Sequence, residues 1–409
     1  MLQVFSPSAL VTPCSDQCSI QLVESIPEGL MYNSSVTNLK TYEAWSTLIQ
    51  AAEESIETAG MYWSLRGKDV FEDPSDWAGE DIFKQLKTAV SNGVSLKIAQ
   101  NLPRPGMPDY DTSDLAKLGA QVKSLDFTKL MGAGVLHTKL WLVDGKHFYV
   151  GSANFDWRSL TQVKELGVLV KDCPCLAQDM TKIWRVYWDL GGQESIPASW
   201  PSTYSTNINS ESPLEIPSVD TSVYLASSPP PFCPEGRDKD IDAILRVISE
   251  AQEFVHIAVM DYFPSTIYGK ETMFWPRIDD ALREAAITRG VRVRLLASHW
   301  AHTRPSMLRY LRSLSDLSGS SPRVDIQVKL FTVPSFTPAQ EKIPFARVNH
   351  NKYMVTDKEG FIGTSNWSAD YFISTGGIGF VFTGPVRQKL QDVFSRDWES
   401  DYAAPLQES

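Results

Sequence analysis

The feature of this sequence that most limits the folds open to it is an internal duplication. Residues 51–63 and 250–262 each run from the end of a helix into an apolar strand that finishes on aromatic side chains. Residues 92–98 and 289–295 each read as a helix that ends at a glycine and is followed by a strand of alternating polarity. Because the copies are separated by about 200 residues, the pattern indicates duplication of a whole domain and not a solenoid of short repeats.

Strands and helices alternate in both copies, and residues 120–123 match residues 326–329 as a further strand. This order predicts an α/β fold made of two pseudo-twofold-related units, each a mostly parallel mixed sheet flanked by helices. A Ser- and Pro-rich stretch between the copies is typical of a long linker. The predicted division is an N-terminal segment over 1–20, a first half over 21–198, a linker over 199–234 and a second half over 235–409.

Composition and charge exclude several classes of protein. Hydrophobic residues make up 43% of the chain and charged residues 21%, which is a globular balance and argues against disorder. The sequence lacks an apolar run near the ~18 residues that a membrane span needs. The net charge of −11 argues against a broad, non-specific grip on nucleic acid. A phosphate-bearing ligand must therefore be held by a local cluster of donors.

The third matching block carries the residues capable of chemistry. His137 and Lys139 lie in the sequence VLHTKLWLVD, and His350 and Lys352 lie in VNHNKYMVTD. Side chains two positions apart on a strand point the same way, so each histidine shares a face with its lysine. A single His-x-Lys is usually a pair of surface strand residues, but the chain has only six histidines and two of them stand in one duplicated frame. The doubled pattern therefore predicts a functional site.

Each copy continues to an acid and then to a second strand that ends in glycine, a hydroxyl residue and asparagine, which gives Asp144, Asp357, Asn154 and Asn366. Packing of the two copies about a pseudo-twofold axis predicts one cationic pocket that holds a tetrahedral phosphate. Lys139 and Lys352 bind the phosphate through their charge, and Asn154 and Asn366 add neutral donors. One histidine attacks phosphorus while the other protonates the leaving oxygen. The lysines neutralise charge as a metal ion would, so no metal or other cofactor is expected.

The spacing His-x-Lys-x4-Asp-x6-Gly-Ser-x-Asn over residues 137–154 resembles the signature of the phospholipase D superfamily. The second copy departs from it by one residue fewer between Asp357 and Gly363, and by Thr364 where serine is usual. Longer blocks resemble phospholipase D family members 3 and 4 and related poxvirus nucleases, and they comprise residues 22–30, 151–167 and 347–356. The similarity extends over nearly the whole chain.

The resemblance implies a function and a setting. It implies a phosphodiesterase that degrades single-stranded DNA or RNA from the 5′ end through a covalent phosphohistidine and releases 3′-phosphonucleotides. Its alternative is a phospholipase D or transphosphatidylase acting on glycerophospholipids, since both substrates present the same phosphodiester. The expected partners are a single-stranded nucleic acid, the phospholipid of the alternative, and a second copy in a homodimer. The expected location is the endolysosomal lumen, or outside the cell, after removal or absence of an N-terminal membrane anchor.

The resemblance also suggests roles within the site. By analogy with the superfamily, His137 is the nucleophile and His350 the proton donor. Glu165 follows the first Gly-Ser-x-Asn block, where the superfamily places an acid that hydrogen-bonds a catalytic histidine. The comparable stretch of the second copy, residues 374–377, has the sequence STGG and no carboxylate. Asp144 and Asp357 are interpreted as structural orienters in preference to direct participants in the chemistry.

The cysteines bear on both structure and compartment. Two close pairs, Cys14 with Cys18 and Cys173 with Cys175, are far apart in the sequence, and a fifth cysteine is Cys233. Their spacing lacks the usual zinc-knuckle pattern, so two disulfides are favoured over a zinc site. The family resemblance implies the pairs Cys14–Cys175 and Cys18–Cys173, with Cys233 unpaired. Disulfides imply an oxidising compartment, although the N-terminus lacks the basic region and apolar length of a signal peptide.

Aromatic residues are dense around the motifs, and most of them are expected to pack in the core. A subset that lines the cleft could stack unpaired bases, which suits a single-stranded substrate. An open apolar rim would instead favour lipid. The aromatic residues concerned are Tyr62, Trp63, Trp141, Phe155, Trp157, Tyr262, Phe274, Trp275, Trp300 and Trp367.

Overall fold

The computed structural model describes residues 14–105, 109–269 and 271–406. The first half contains, in chain order, β1 (Ser19–Ser25), β2 (Leu39–Lys40), α1 (Thr41–Ala51), β3 (Ser55–Gly60), β4 (Trp63–Ser64), α2 (Trp77–Ser91), β5 (Ser95–Asn101), α3 (Tyr110–Lys117), β6 (Gln121–Leu125), α4 (Phe127–Met131), β7 (Lys139–Val143), β8 (His147–Gly151), β9 (Phe155–Asp156), α5 (Arg158–Thr161), β10 (Glu165–Lys171) and α6 (Pro174–Leu190).

The rest of the chain contains β11 (Leu214–Ile216), β12 (Thr221–Ser228), β13 (Asp238–Lys239), α7 (Asp240–Glu250), β14 (Phe254–Val259), α8 (Arg277–Arg289), β15 (Arg292–Ser298), α9 (Pro305–Ser315), β16 (Ile326–Phe331), α10 (Pro338–Lys342), β17 (Lys352–Thr356), β18 (Gly360–Gly363), α11 (Ala369–Ile373), β19 (Gly377–Phe382), α12 (Gly384–Glu399) and β20 (Ala403–Pro405).

The predicted duplication is confirmed as two α/β units with matching mixed sheets. The first sheet has the order β2-β1-β10-β8-β7-β3-β5-β6, and the second contains β12-β19-β18-β17-β14-β15-β16 in the equivalent order. Parallel pairs join β3 to β5 to β6 and β14 to β15 to β16. The strands that carry the motifs, β7 and β8 or β17 and β18, are antiparallel hairpins. Antiparallel pairs are therefore more numerous than the sequence suggested, because short connections return each motif strand beside its neighbour.

Helix ends follow the predicted glycine signals. α8 ends at Gly290, which adopts the left-handed conformation with φ of 69°. α2 ends just before Gly93, whose φ is 94°. Glycine has no Cβ to clash in this conformation, so the chain can reverse there and enter β15 or β5. A glycine with a left-handed backbone thus precedes the second parallel strand of each unit.

Part of the predicted linker belongs to the second sheet. Residues 199–234 contain β11 and β12, and β12 pairs antiparallel with β19 as β1 pairs with β10 in the first half. The linker interpretation is corrected for these strands: a Ser- and Pro-rich composition hid β12 because its partner lies far along the sequence. The positions at which the halves divide otherwise stay a prediction.

Apolar side chains from both halves form a shared core between the two sheets. Phe148 on β8 packs against Phe380 on β19 with ring centroids 6.2 Å apart. Buried ion pairs also cross between the halves, since Arg396 of α12 binds Glu24 of β1 at 2.6 Å and Arg237 binds Asp179 of α6 at 2.7 Å. Breaking one partner of such a buried pair leaves an uncompensated charge, so these contacts fix the two halves against each other.

Two disulfides fasten the segment before β1 to the start of α6. Cys14 is bonded to Cys175 and Cys18 to Cys173, while Cys233 is free. The predicted pairing is confirmed. Over the described parts of the chain, the one group of three or more metal-ligand side chains consists of Cys14, Cys173 and Cys175. Their sulfurs are already bonded to cysteine partners.

Within the described residues, none of the helices combines the length and the apolar character needed to cross a membrane.

Candidate active site

Two pairs of backbone contacts between the halves bring the duplicated motifs together. The Leu136 segment forms a parallel bridge with Gly376, and the Lys164 segment forms one with Asn349. Within these bridges the His137 amide donates to the Gly376 carbonyl at 2.9 Å, and the His350 amide donates to the Lys164 carbonyl at 2.8 Å. His137 is therefore held by the residue just before β19, and His350 is held by the residue just before β10, each from the opposite half. This is the predicted pseudo-twofold convergence.

The His137 side chain is fixed by a backbone acceptor. Its Nδ1 lies 2.7 Å from the carbonyl oxygen of Thr364, which is in the other half. A carbonyl can only accept, so Nδ1 carries the proton and Nε2 keeps a free lone pair. Burial lowers the pKa of His137 well below its usual value, and the positive charges of Lys139 and Lys352 lower it further. Burial and the nearby lysines therefore favour the neutral form of His137, in which Nε2 is the available nitrogen.

The His350 side chain is fixed by a carboxylate. Its Nδ1 lies 2.8 Å from Oε2 of Glu165, which is fully buried and also accepts a hydrogen bond from the Ser152 hydroxyl at 2.5 Å. Burial lowers the pKa of His350, but the negative charge of Glu165 opposes that shift. Compared with His137, this imidazole is the one whose protonated form has a counter-charge. Glu165 thus occupies the position that the resemblance implied.

The two lysines start strands β7 and β17 and are almost completely buried. Lys139 Nζ donates to the carbonyl of His137 at 2.5 Å, and Lys352 Nζ donates to that of His350 at 2.7 Å. Desolvation lowers the pKa of Lys352 to about 8, and it lowers that of Lys139 well below its usual value, as does the charge of Lys352. Neither lysine forms a salt bridge with a described carboxylate, and the two lie near enough for their charges to interact, so both are available to bind the oxygens of a phosphoryl group.

The two asparagines have acceptor atoms without partners. The Oδ1 atoms of Asn154 and Asn366 are both buried and make no hydrogen bond to the described residues, whereas Nδ2 of Asn366 donates to the Tyr371 hydroxyl at 3.0 Å. Unsatisfied buried polar atoms are costly, and a phosphoryl ligand, whose oxygens only accept, would be bound by the amide nitrogens of these residues and not by their oxygens. Both asparagines lie at the ends of the second motif strands, as the sequence predicted.

Asp144 and Asp357 lie at the far ends of the same motif strands. Asp144 accepts from the backbone amides of Glu53, Glu54 and Ser55 at 2.7–2.9 Å. Asp357 accepts from the amides of residues 252–254 at 3.0–3.5 Å. Five residues of strand separate Asp144 from Lys139, which is roughly 16 Å at ~3.3 Å per residue. Both aspartates are thus placed to fix the turns before β3 and β14, in line with the structural interpretation.

Some contacts of the site were not predicted from the sequence. The Tyr371 ring packs edge-on against His137, with centroids 4.9 Å apart, and its hydroxyl lies 3.1 Å from that of Tyr268. Tyr371 had no signal, because the equivalent position five residues after Asn154 is Ser159. Ser152 and Thr364 were inside the quoted motif, but their partners are visible only when the halves are assembled.

The aromatic residues named from the sequence form a buried group and a group that is at least partly exposed. Six of the named residues are buried in the core, as expected for most of them, while Phe274 is 71% exposed. Tyr62, Trp275 and Trp300 are partly exposed. The buried members are Trp63, Trp141, Phe155, Trp157, Tyr262 and Trp367.

Comparisons with known proteins agree with this geometry. Residues 33–336 match the family described as "PLD3/4, PLD-like domain". The human protein "5'-3' exonuclease PLD3" is 48% identical over 417 aligned positions, which cover 100% of this chain and 85% of that protein. The mouse "5'-3' exonuclease PLD4" is 43% identical, covering 96% of this chain and 80% of that protein.

Solved structures support the fold at lower identity. The phosphatidylserine synthase of Haemophilus influenzae has a TM-score of 0.61 at 13% sequence identity, and the alignment covers 89% of this chain and 85% of that one. The polyphosphate kinase of Porphyromonas gingivalis has a TM-score of 0.53 at 11% identity over 92% of this chain and 46% of that one. At these identities the likeness concerns the fold alone.

Proposed function

We propose a function on the premise that this chain belongs to the phospholipase D family, in the group that contains PLD3 and PLD4: it is a 5′-to-3′ exonuclease of single-stranded DNA or RNA. The observation that carries the proposal is the unequal anchoring of two converging histidines, one on the Thr364 carbonyl and the other on the Glu165 carboxylate. The relatives named as 5′-to-3′ exonucleases align with at least 96% of the chain, so the whole fold and not only the motifs supports the proposal.

The first chemical step forms a phosphohistidine. Nε2 of His137 attacks phosphorus and forms a P–N bond while the bond from phosphorus to the 5′-oxygen of the next nucleotide breaks. His350 donates its Nε2 proton to that oxygen, so the shortened strand leaves with a 5′-hydroxyl. The 5′-terminal nucleotide stays attached to His137 through its 3′-phosphate.

The second step returns the enzyme to its starting state. His350, now neutral, takes a proton from water, and the oxygen attacks phosphorus on the side opposite His137. The P–N bond breaks, the 3′-phosphonucleotide is released, and His350 is protonated again. Lys139 and Lys352 bind the non-bridging oxygens in both steps, and Asn154 and Asn366 orient the group through their amides.

The charges of the site favour a mildly acidic setting. Glu165 supports a protonated His350, whereas no carboxylate bonds to His137 among the described residues. The pair then holds one proton, and the rate depends on pH as a bell whose limbs belong to the pair. Two disulfides require an oxidising compartment. These features support the proposal that the protein acts in the endolysosomal lumen or outside the cell.

The test is a parallel assay of two phosphodiester classes. A single-stranded DNA oligonucleotide with a 5′-hydroxyl is expected to yield 3′-phosphonucleotides in order from the 5′ end, and the same strand in a duplex is expected to resist. Phosphatidylglycerol vesicles are the comparison substrate. Faster release of a phospholipid headgroup than of nucleotides would favour the lipid alternative instead. The homodimer stays a prediction for sedimentation analysis.

Metal independence is a separate expectation. Because two lysine ammonium groups neutralise the phosphate, turnover is expected to persist in excess EDTA. Loss of turnover that Mg²⁺ or Zn²⁺ restores would contradict the mechanism with two histidines.

A further inference from the structure

A comparison of the two copies singles out an exposed aromatic residue in a strained conformation. Phe345 lies five residues before His350, and the residue at the same count before His137 is Gly132, which ends α4. Both have left-handed backbones, with φ of 55° at Phe345 and 76° at Gly132. Glycine adopts this conformation freely, whereas the Cβ of a residue such as phenylalanine is strained in it. The second half thus carries an aromatic side chain where the first half uses the residue that fits.

A second strained residue nearby has a structural explanation. Arg347, three residues before His350, has φ of 56°, and its counterpart is Gly134. The Arg347 side chain donates to Gln162 Oε1 and to the Glu28 carbonyl, each at 3.1 Å. These bonds to the first half account for an arginine at a glycine position. Phe345 has no comparable reason, because its side chain is 62% exposed and stabilises little by burial.

The Phe345 ring instead completes a surface cluster that we call the aromatic platform, made of Trp300, His302 and Phe345. The His302 and Phe345 rings are stacked, with centroids 4.8 Å apart and an interplanar angle of 18°. Trp300 packs edge-on against His302 at 4.7 Å. These residues line a cavity of about 590 Å³. Flat rings at the wall of an open cavity are surfaces on which a planar ligand can stack.

The aromatic platform is connected to the catalytic strand from two directions. Phe345 is at most about 18 Å from His350 along five residues of chain. Trp300 is two residues after Ser298, whose hydroxyl accepts from the Asn349 amide at 3.2 Å, next to His350. The Pro344 carbonyl beside Phe345 accepts from Arg158 of the first half. The platform is therefore tied to the segment that carries His350, both through the chain from Phe345 and through the hydrogen bond between Ser298 and Asn349.

We propose that the aromatic platform is a binding subsite that stacks one base of the single-stranded substrate close to His350. This inference rests on the proposed exonuclease function and names a residue that sets its preference for unpaired strands. Every base has a flat face, so stacking gives affinity without selecting a sequence, and a paired base is already stacked on its neighbours. The strain at Phe345 is kept because the exposed ring serves the substrate and not the fold.

The test replaces Phe345 by glycine, the residue that its backbone conformation favours. Phe345→Gly is expected to keep or raise the melting temperature while the KM for a single-stranded oligonucleotide rises about 5- to 150-fold, the range for loss of one stacked base. Its turnover of methyl p-nitrophenyl phosphate, a phosphodiester without a base, is expected to stay unchanged. Phe345→Tyr keeps a ring and is expected to retain the wild-type KM. Tyr110→Ala, which removes another exposed aromatic side chain, is the matched control.

A scan with abasic nucleotides makes the assignment direct. An abasic nucleotide at one position near the 5′ end is expected to weaken binding to the wild type and to have no effect on Phe345→Gly. If every abasic position affects the two proteins equally, or if Phe345→Gly cleaves the oligonucleotide with wild-type KM, the platform is not a base subsite. If the wild type hydrolyses only the small diester and never the oligonucleotide, the proposed exonuclease function fails instead.

Discussion

His137 and His350 occupy equivalent positions in the two halves, yet their Nδ1 atoms contact different acceptors. His137 meets a neutral carbonyl at Thr364, and His350 meets the carboxylate of Glu165. The residue equivalent to Glu165 is Gly377, since each begins the strand that follows a bridge to the other half. Duplication supplied two copies of the same groups, and one substitution of acid for glycine makes their charges differ. The difference teaches how a symmetric frame can hold a base and an acid at one pH.

Removal of either histidine tests this division most strongly. His137→Ala and His350→Ala are each expected to lower kcat on oligonucleotides by at least ~10³-fold, because the nucleophile or the proton donor is lost. A nitrophenyl phosphodiester distinguishes the two variants, because its leaving group needs no proton. His350→Ala is expected to accumulate a phosphohistidine on it, and His137→Ala is not. Mass spectrometry after a quench without acid locates the label, and a label on His350 would reverse the assignment.

The disulfides are a second difference between the two halves. They hold the segment before β1, whereas the equivalent strand of the second half, β12, has no disulfide beside it among the described residues. They close nearly the same loop, with sequence separations of 161 and 155. Loop entropy assigns such a closure roughly 4–5 kcal/mol, which either disulfide alone largely supplies. Replacing all four cysteines by serine is therefore expected to lower the melting temperature much more than twice the effect of replacing one pair. Equal and additive losses would contradict this account.

Glu165→Gln tests the charge at His350 while it keeps the side chain's shape. The carboxylate favours protonated His350, so its loss lowers the pKa of this histidine further. A proton donor fails above its own pKa, and the alkaline limb of the rate profile is expected to move to lower pH. The rate at neutral pH is expected to fall about 10²-fold, the lower range for acid–base groups. An unchanged alkaline limb in a pH titration of kcat would show that Glu165 only packs the ring.

Gly377→Ala asks whether the second half could accept a side chain where the first has Glu165. An added Cβ would lie 2.4 Å from Ser365 Oγ and 2.8 Å from Ser228 Oγ. Relief of this overlap is expected to cost about 1–2 kcal/mol of unfolding free energy, measured by urea titration, with the pH profile unchanged. Adding Ser365→Ala removes the nearest atom, which makes no hydrogen bond, and is expected to restore most of the stability. A shift of the pH optimum in Gly377→Ala would contradict a pure packing role.

Periodicity and motif spacing predicted the paired sheets, because strands and helices depend on local apolar patterns that both copies share. The same local patterns failed at β12, since its apolar residues 223–225 lie in a Ser- and Pro-rich stretch and its partner β19 is far along the chain. The antiparallel direction of most strand pairs could likewise not be predicted from the sequence, because it depends on the path by which the chain returns to a neighbouring strand.

The sequence by itself determined which residues this protein uses: His137, Lys139, His350 and Lys352 in one repeated frame, and the cysteine pairs at fixed spacing. Only the tertiary structure decided which group each histidine meets, because the acceptors lie 227 residues from His137 and 185 residues from His350 along the chain. A hydrogen bond forms between neighbours in space, and its acceptor sets the proton position and charge of an imidazole. The identity of the catalytic groups was thus local information, and their inequality arose where the two halves meet.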